Sequence, residues 1–503
     1  MIRIRPRGIV TSFLGAAVAA AVALAPASCV AQDAVRDGAA RIPSNGPPPG
    51  PGPEEIAARR ARALERLESL GAGGVLLVRS GEDLESVLTG FRPDPDFYYL
   101  TGLAVPGAAL LLDPAGTVDG AKEVLFLEPP NTRRDLWAGT RIGPGEEATR
   151  ATGIRATRPA EDLETLLPEI LAGKSAVYVN APRTRRGEPL TGDLRRIDAI
   201  LARGPAADGT PAEGGGPGSP DGDAAAAAAA SPASGERPAR DSSSRPGSPS
   251  GAVKRPSLVT GALRQVKSEA EIALIRHAVD ATCESLRRAI ASARPGMGEY
   301  QLQALIEYTY RDRGCERPAF ASIVGSGPNS CVLHYRTNSR TMEAGDLVVM
   351  DVGGEYRGYA ADVTRTIPVS GRFSPEQRAI YDIVLKAQKA GLQAVAPGRT
   401  IRDVHAAAAA VIAEAGYRDR FPHGTSHWVG LDVHDVSGDS TLRPGMVLTV
   451  EPGIYLAERA LGVRIEDTVL VTDAGCEVLS ASAPKEPEEI EALMAAAGGG
   501  RAR

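Results

Sequence analysis

The C-terminal half of this 503-residue chain repeats itself. Pro295-Gly296 followed by a helical pattern recurs as Pro397-Gly398 followed by another, and Gly345 with LVVMDVG recurs as Gly445 with VLTVEPG. The repeat sets Asp351 opposite Glu451, and it sets ADVTRTIPV, carrying Asp362, opposite RIEDTVLVT, carrying Glu466. Two copies of one supersecondary unit, each bringing a pair of carboxylates, predict an α+β domain with an internal pseudo-twofold axis and the acids gathered beside it. Acids at matching places on apolar strands are not surface decoration, because a buried carboxylate needs a partner or a metal.

Four carboxylates in one place form an oxygen-rich, hard donor set that suits manganese or a similar divalent pair. Two ions among such groups can share a hydroxide, which is nucleophilic at neutral pH because the metals depress the pKa of bound water. Histidine usage points to the same region. The chain has six, of which His334 lies in VLHYRTN and His423, His427 and His434 share the stretch HGTSHWVGLDVHD.

The contexts MDVGGEY, ADVTRT, HGTSHWVGLDVHD, EPGIY and VRIEDT resemble those of the pita-bread metallopeptidases, and HGTSHWVGLDVHD with the tail KEPEEIEALM is most similar to the aminopeptidase P branch. The resemblance covers roughly residues 258–495 strongly and roughly 54–200 more weakly. It implies a pita-bread catalytic domain over 258–496, preceded by a mixed α/β N-terminal domain over 54–203. It also implies two divalent ions, manganese first with zinc or cobalt as alternatives, held by Asp351, Asp362, His427, Glu451 and Glu466.

The resemblance makes Glu451 the general base as well as a ligand. A single imidazole ligand leaves the other histidines free to donate hydrogen bonds to developing negative charge. His434 and His334 are expected to stabilise the tetrahedral intermediate and the departing proline nitrogen, with His423 lining the cleft. Arg464, two residues before Glu466, is placed to orient a ligand, to bind the substrate's far end, or to form a structural ion pair. His277 and His405 lie in helical patterns and need no role.

The implied substrates are peptides with proline at the second position, and the implied assembly is a dimer or tetramer. Prolidase, which acts on the Xaa-Pro dipeptide, shares nearly every motif, and the HGTSHW context leans away from it. Methionine aminopeptidase is disfavoured by the extra N-terminal domain and the leader-like start. Non-catalytic relatives lose several ligands, whereas all five positions here carry suitable side chains.

A chain of this length with 43% hydrophobic residues holds two or three domains with ordinary cores. Its net charge of -5 offers no basic surface, which excludes nucleic-acid binding. Arg3, Arg5 and Arg7, the apolar IVTSFLGAAVAAAVALA and small residues around Ala27–Ala31 read as a secretory signal over 1–31, so export is expected. Lipid attachment at Cys29 is disfavoured by Pro26, where such signals carry a bulky aliphatic residue.

Residues 32–53 and 204–257 are rich in Gly, Pro, Ala and Ser, and such composition buries too little apolar surface to offset chain entropy. They are expected to be a tether and an interdomain linker. Cys283, Cys315, Cys331 and Cys476 show no zinc-module spacing and suggest no particular disulfide. Further signals are an amphipathic helix at EEIAARRARALERLESL, strands at GVLLVRS and AALLLD, and, in RPDPDFYYLTGL, a turn leading into an aromatic segment whose Phe97, Tyr98 and Tyr99 read as core or interface. Ser268 with Glu271, and Ser374-Pro375-Glu376-Gln377, read as helix starts.

Overall fold

The computed structural model describes residues 48–71, 73–81, 90–180, 252–436 and 438–499. The expected signal over 1–31, most of the tether and most of the linker lie outside the described residues.

The N-terminal layer contains α1 (Pro53–Ser69), β1 (Gly74–Arg79), α2 (Pro95–Thr101), β2 (Ala109–Leu112), β3 (Glu123–Leu127), α3 (Thr132–Ala138), α4 (Glu146–Thr152), β4 (Ala156–Pro159), α5 (Asp162–Leu171), β5 (Ala176–Val179) and β6 (Ala252–Lys254). Its strands form one mixed sheet in the order β4-β3-β2-β1-β5-β6. One expectation changes here. The linker was expected to run to residue 257, yet Ala252–Lys254 pairs parallel with β5, Val253 opposite Val177, because a β-branched residue fits a pleated edge. The aromatic segment expected after the turn in RPDPDFYYLTGL is the helix α2. Asp94 caps it by accepting from the backbone N–H of Asp96 and Phe97, Pro95 fills the first turn, and Gly102 closes it at φ 70°. Phe97 and Tyr99 are fully buried beneath it, as core residues.

The catalytic half runs α6 (Ser257–Gln265), α7 (Glu269–Ser292), α8 (Glu299–Asp312), β7 (Arg317–Pro318), β8 (Ile323–Ser326), β9 (Leu347–Val352), β10 (Gly354–Tyr356), β11 (Tyr359–Ala360), β12 (Val363–Pro368), α9 (Pro375–Ala394), α10 (Ile401–Glu414), β13 (Val447–Val450), β14 (Gly453–Leu456), β15 (Leu461–Arg464), β16 (Asp467–Thr472), β17 (Gly475–Val478) and α11 (Pro487–Gly499). The capping box expected of Ser268 with Glu271 forms on α7, and the helix start expected at Ser374 begins α9, where Ser374 and Gln377 also make a capping box. Ile275, Val279 and Leu286 of α7 are buried with Val348 and Met350 of β9 and Val363 and Ile367 of β12 in one apolar core. Each such side chain contributes about 1.5–3 kcal/mol of burial.

The repeat is a repeat in space as well as in sequence. β9 pairs antiparallel with β12, and β13 pairs antiparallel with β16. The two Pro-Gly turns are anchored alike, with Gly296 N donating to Met342 O at 2.8 Å and Gly398 N to Leu442 O at 3.0 Å. Gly345 and Gly445 both adopt left-handed backbone, φ 93° and 86°, which glycine takes without steric penalty. This is the pita-bread architecture behind a separate N-terminal sheet.

The two layers are joined by buried charge. Arg264 of α6 pairs with Asp96 of α2 at 2.8 Å and with Asp432 and Asp435 at 3.0 and 2.5 Å. Lys267 adds a contact to Asp435 at 3.2 Å. Because Asp432 and Asp435 bracket His434, the N-terminal layer helps fix the segment that carries it. Cys283, Cys315, Cys331 and Cys476 are free thiols, the first two buried.

Candidate active site

The strand ends deliver the acids. Asp351 is the penultimate residue of β9 and Glu451 follows the last residue of β13, while Asp362 and Glu466 immediately precede β12 and β16. The expectation that the strands themselves carry the ligands therefore holds in full for Asp351 alone, the other three sitting at strand–loop junctions. His427 enters from the segment between α10 and β13, held by its backbone N–H donating to Thr449 Oγ1 at 3.1 Å and its carbonyl accepting from Thr449 N at 3.0 Å.

Asp362, His427 and Glu466 present ligand atoms all within 4.8 Å of one another. His427 Nε2 lies 3.3 Å from Asp362 Oδ2 and 3.6 Å from Glu451 Oε1. Asp351 is gripped from behind, Arg464 Nη2 donating to its Oδ2 at 2.7 Å. Arg464 is buried, and its other contacts are Tyr455 Oη at 3.0 Å, Thr364 Oγ1 at 3.3 Å and Leu333 O at 3.4 Å. Of the roles considered for Arg464, orientation of a ligand is the one this geometry favours.

The acids strain against one another. Burial and the neighbouring Glu466 and Asp351 carboxylates hold the Asp362 carboxyl well above its ordinary range. Glu451 is raised likewise by burial and by Glu466. Glu466 is pushed up to about 7 by burial and by Asp351. Asp351 Oδ1 and Asp362 Oδ1 are buried oxygens with no hydrogen-bond partner among the described residues. Buried acceptors left without donors, beside mutually repelling carboxylates and one imidazole, are a donor set that fits hard divalent cations.

The other histidines surround this cluster. His434 stacks on His427 with ring centroids 3.9 Å apart and an interplanar angle of 15°. Its residue is exposed, yet partial withdrawal from water, with His427 and His334 nearby, lowers its imidazole to about 4. His423 Nδ1 donates to Gly424 O at 2.8 Å and lies 4.0 Å from Glu451 Oε2, and in the neutral ring this leaves Nε2 to accept from Tyr455 Oη at 2.8 Å. Burial brings it to about 4 as well. His334 is exposed on the segment that supplies Leu333 O to Arg464. His277 and His405 hydrogen-bond to Arg313 O and Thr425 Oγ1, each at 2.9 Å.

Three residues of the site were not singled out from sequence. Tyr455 joins His423 to Arg464 through its hydroxyl, and it stood in the quoted EPGIY. Thr364 and Thr468 each lie two residues past a matched acid, a signal that the repeat itself carried.

Residues 273–473 match metallopeptidase family M24, and residues 56–178 match the aminopeptidase P N-terminal domain. The chain is 33% identical over 474 residues to the Xaa-Pro aminopeptidase of Escherichia coli (strain K12), a match covering 87% of this chain and 97% of that one. It is 41% identical over 223 residues to the Xaa-Pro dipeptidase of Pyrococcus furiosus, there covering 43% of this chain and 64% of the relative. Among solved structures, Pseudomonas aeruginosa aminopeptidase PepP superposes with a TM-score of 0.72 at 32% identity, covering 90% of this chain and 99% of that one. The shared fold, both domains and the near-complete coverage place the chain in metallopeptidase family M24 as a proline-specific, metal-dependent hydrolase of the aminopeptidase P type.

Proposed function

We propose that the chain releases the N-terminal residue from peptides with proline second, using two divalent ions held by Asp351, Asp362, His427, Glu451 and Glu466. The observation that carries this reading is the convergence of Asp362, His427 and Glu466 within 4.8 Å at the seam of the repeat, with buried unpartnered oxygens on Asp351 and Asp362. When bound, such a pair supplies a hydroxide nucleophile near neutral pH and polarises the scissile carbonyl. The carboxylate-rich donor set favours manganese, with zinc or cobalt as substitutes.

The chain's own residues do the rest. Arg464 fixes Asp351 through one oxygen and leaves Oδ1 for the ion or the substrate's free α-amino group, which accounts for action at chain ends. Glu451, whose Oε1 lies 3.6 Å from His427 Nε2, accepts a proton from the nucleophile and passes it to the leaving nitrogen. His434 and His334, on the open side, donate to the negative charge that develops on the carbonyl oxygen and steady the departing proline, while His423 walls the cleft. A proline leaving group has no N–H to offer, so its recognition rests on the surrounding side chains. Export through residues 1–31 and assembly into a dimer or tetramer belong to the same reading, supported by the leader pattern and the resemblance.

Prolidase activity is the second reading, favoured by the 41% identity of the catalytic half to an Xaa-Pro dipeptidase. Metal-stripped protein with manganese restored, assayed on Xaa-Pro-Xaa, Xaa-Pro and Met-Ala peptides, separates them. Metal-dependent release of the first residue from the tripeptide is expected. Cleavage confined to the dipeptide would transfer the assignment to prolidase.

A further inference from the structure

Glu299, the first residue of α8, is fully buried, outside the metal cluster, and unused in the mechanism above. Five donors converge on its two oxygens. Oε1 accepts from Ser326 N and Oγ, both at 2.7 Å, and from Asn329 Nδ2 at 3.1 Å. Oε2 accepts from Tyr335 Oη and Arg340 N, both at 2.9 Å. All four partner residues lie in one stretch, residues 326–340, which is also the stretch that carries His334.

That stretch is held from the opposite side by the metal-site arginine, Arg464 Nη2 donating to Leu333 O at 3.4 Å. Its 3₁₀ turn, Gly327–Cys331, lies against β15 so closely that a Cβ on Gly462 would meet Ser330 O at 2.1 Å. His334 therefore sits between two anchors, Leu333 tied to Arg464 and Tyr335 tied to Glu299, while its own side chain is exposed.

We infer that Glu299, acting through Tyr335, is a positioning residue that fixes His334 for turnover. The inference rests on the role given to His334 in the proposed mechanism. Geometry of this kind is worth a great deal in rate, since a displacement of about 1 Å can cost roughly a hundredfold. Its cost in folding is smaller, because a single tether contributes only part of the stretch's anchoring.

Glu299→Ala would orphan five donors and risks the fold, so the test removes one hydroxyl, that of Tyr335, which also accepts from Ser339 N at 3.3 Å. Tyr335→Phe, His334→Ala and the double variant are compared in the full-length, manganese-loaded enzyme for kcat and KM on an Xaa-Pro-Xaa peptide, bound metal and thermal midpoint. Tyr335→Phe is expected to lower kcat about tenfold or more with KM, metal content and midpoint nearly unchanged. In the His334→Ala background the same change is expected to cost nothing further, the non-additivity that marks two residues acting as one. Effects that multiply, or a Tyr335→Phe enzyme with the parent kcat, would overturn the positioning role alone. A His334→Ala enzyme as fast as the parent would overturn the role of His334 itself, and the positioning role with it.

Discussion

Thr364 donates its hydroxyl to Glu466 Oε2 at 2.7 Å, across the seam between the two halves of the repeat. Thr468, the matching residue of the second half, donates back to the carbonyl of Asp362 at 2.5 Å. Each unit thus orients the acid of the other, and the acids' geometry depends on both halves being folded together. Backbone follows side chain, with Glu466 N donating to Thr364 O at 3.1 Å.

Thr364→Val keeps the shape and removes this donor, and also the contact to Arg464 Nε at 3.3 Å. Metal affinity is expected to fall about 10- to 100-fold, as for other groups that orient a ligand from behind. Titration of the stripped protein with manganese, followed calorimetrically, reads the change. An unaltered affinity would mean that Glu466 needs no orienting partner.

The acids make a pH dependence that belongs to the metal-free protein. Glu466 moves from an ordinary 4.5 to about 7 through burial and Asp351, so the folded chain holds a proton that the unfolded chain has already released. Stability from this group is complete below about pH 4.5 and is lost as pH rises through about 7. Bound divalent ions take the place of those protons. The thermal midpoint of stripped protein should therefore decline across that window, and the manganese-loaded protein should lack this decline.

His434→Ala should retain both metals and lose rate. Its ring stacks on His427 at 3.9 Å without being needed to hold it, since His427 is fixed through Thr449. Loss of one donor to the developing oxyanion costs about 10²–10³ in kcat. Activity equal to the parent, measured at matched metal content, would remove His434 from the mechanism.

Arg365 is a structural counterpart to Arg464, which holds Asp351. Fully buried on β12, it pairs with Asp467 at 2.7 Å and donates to the carbonyls of Ala483 and Glu466 at 2.9 and 2.5 Å. Arg365→Met leaves Asp467 buried with Lys485, Ser480 and Gln388 as remaining partners, and breaking such a pair costs about 3–5 kcal/mol. Denaturant unfolding should show that loss.

What the sequence made legible was local or periodic. The Pro-Gly turns, the matched Asp351/Glu451 and Asp362/Glu466 and the helix starts at Ser268 and Ser374 all follow from short-range chemistry. Contacts between distant residues left no comparable mark. Arg464 meets Asp351 across 113 positions, Arg264 meets Asp96 across 168, and Glu299 meets Arg340 across 41, so neither spacing nor propensity could pair them. The sequence leaves the helical state of the aromatic segment open for a different reason. Asp94 and Pro95 open a turn and a helix with the same residues, and the burial of Phe97 and Tyr99 under the sheet decides between them.

The central claim is that the acids at the seam hold the ions on which proline-specific hydrolysis depends. The most direct measurement follows first-residue release from an Xaa-Pro-Xaa peptide while manganese is titrated into stripped protein, for the parent and for Asp362→Ala. The account predicts that the parent gains activity as two equivalents bind, and that Asp362→Ala neither retains metal nor turns over. Full activity in the stripped parent, or an Asp362→Ala enzyme that works without its metals, would contradict it.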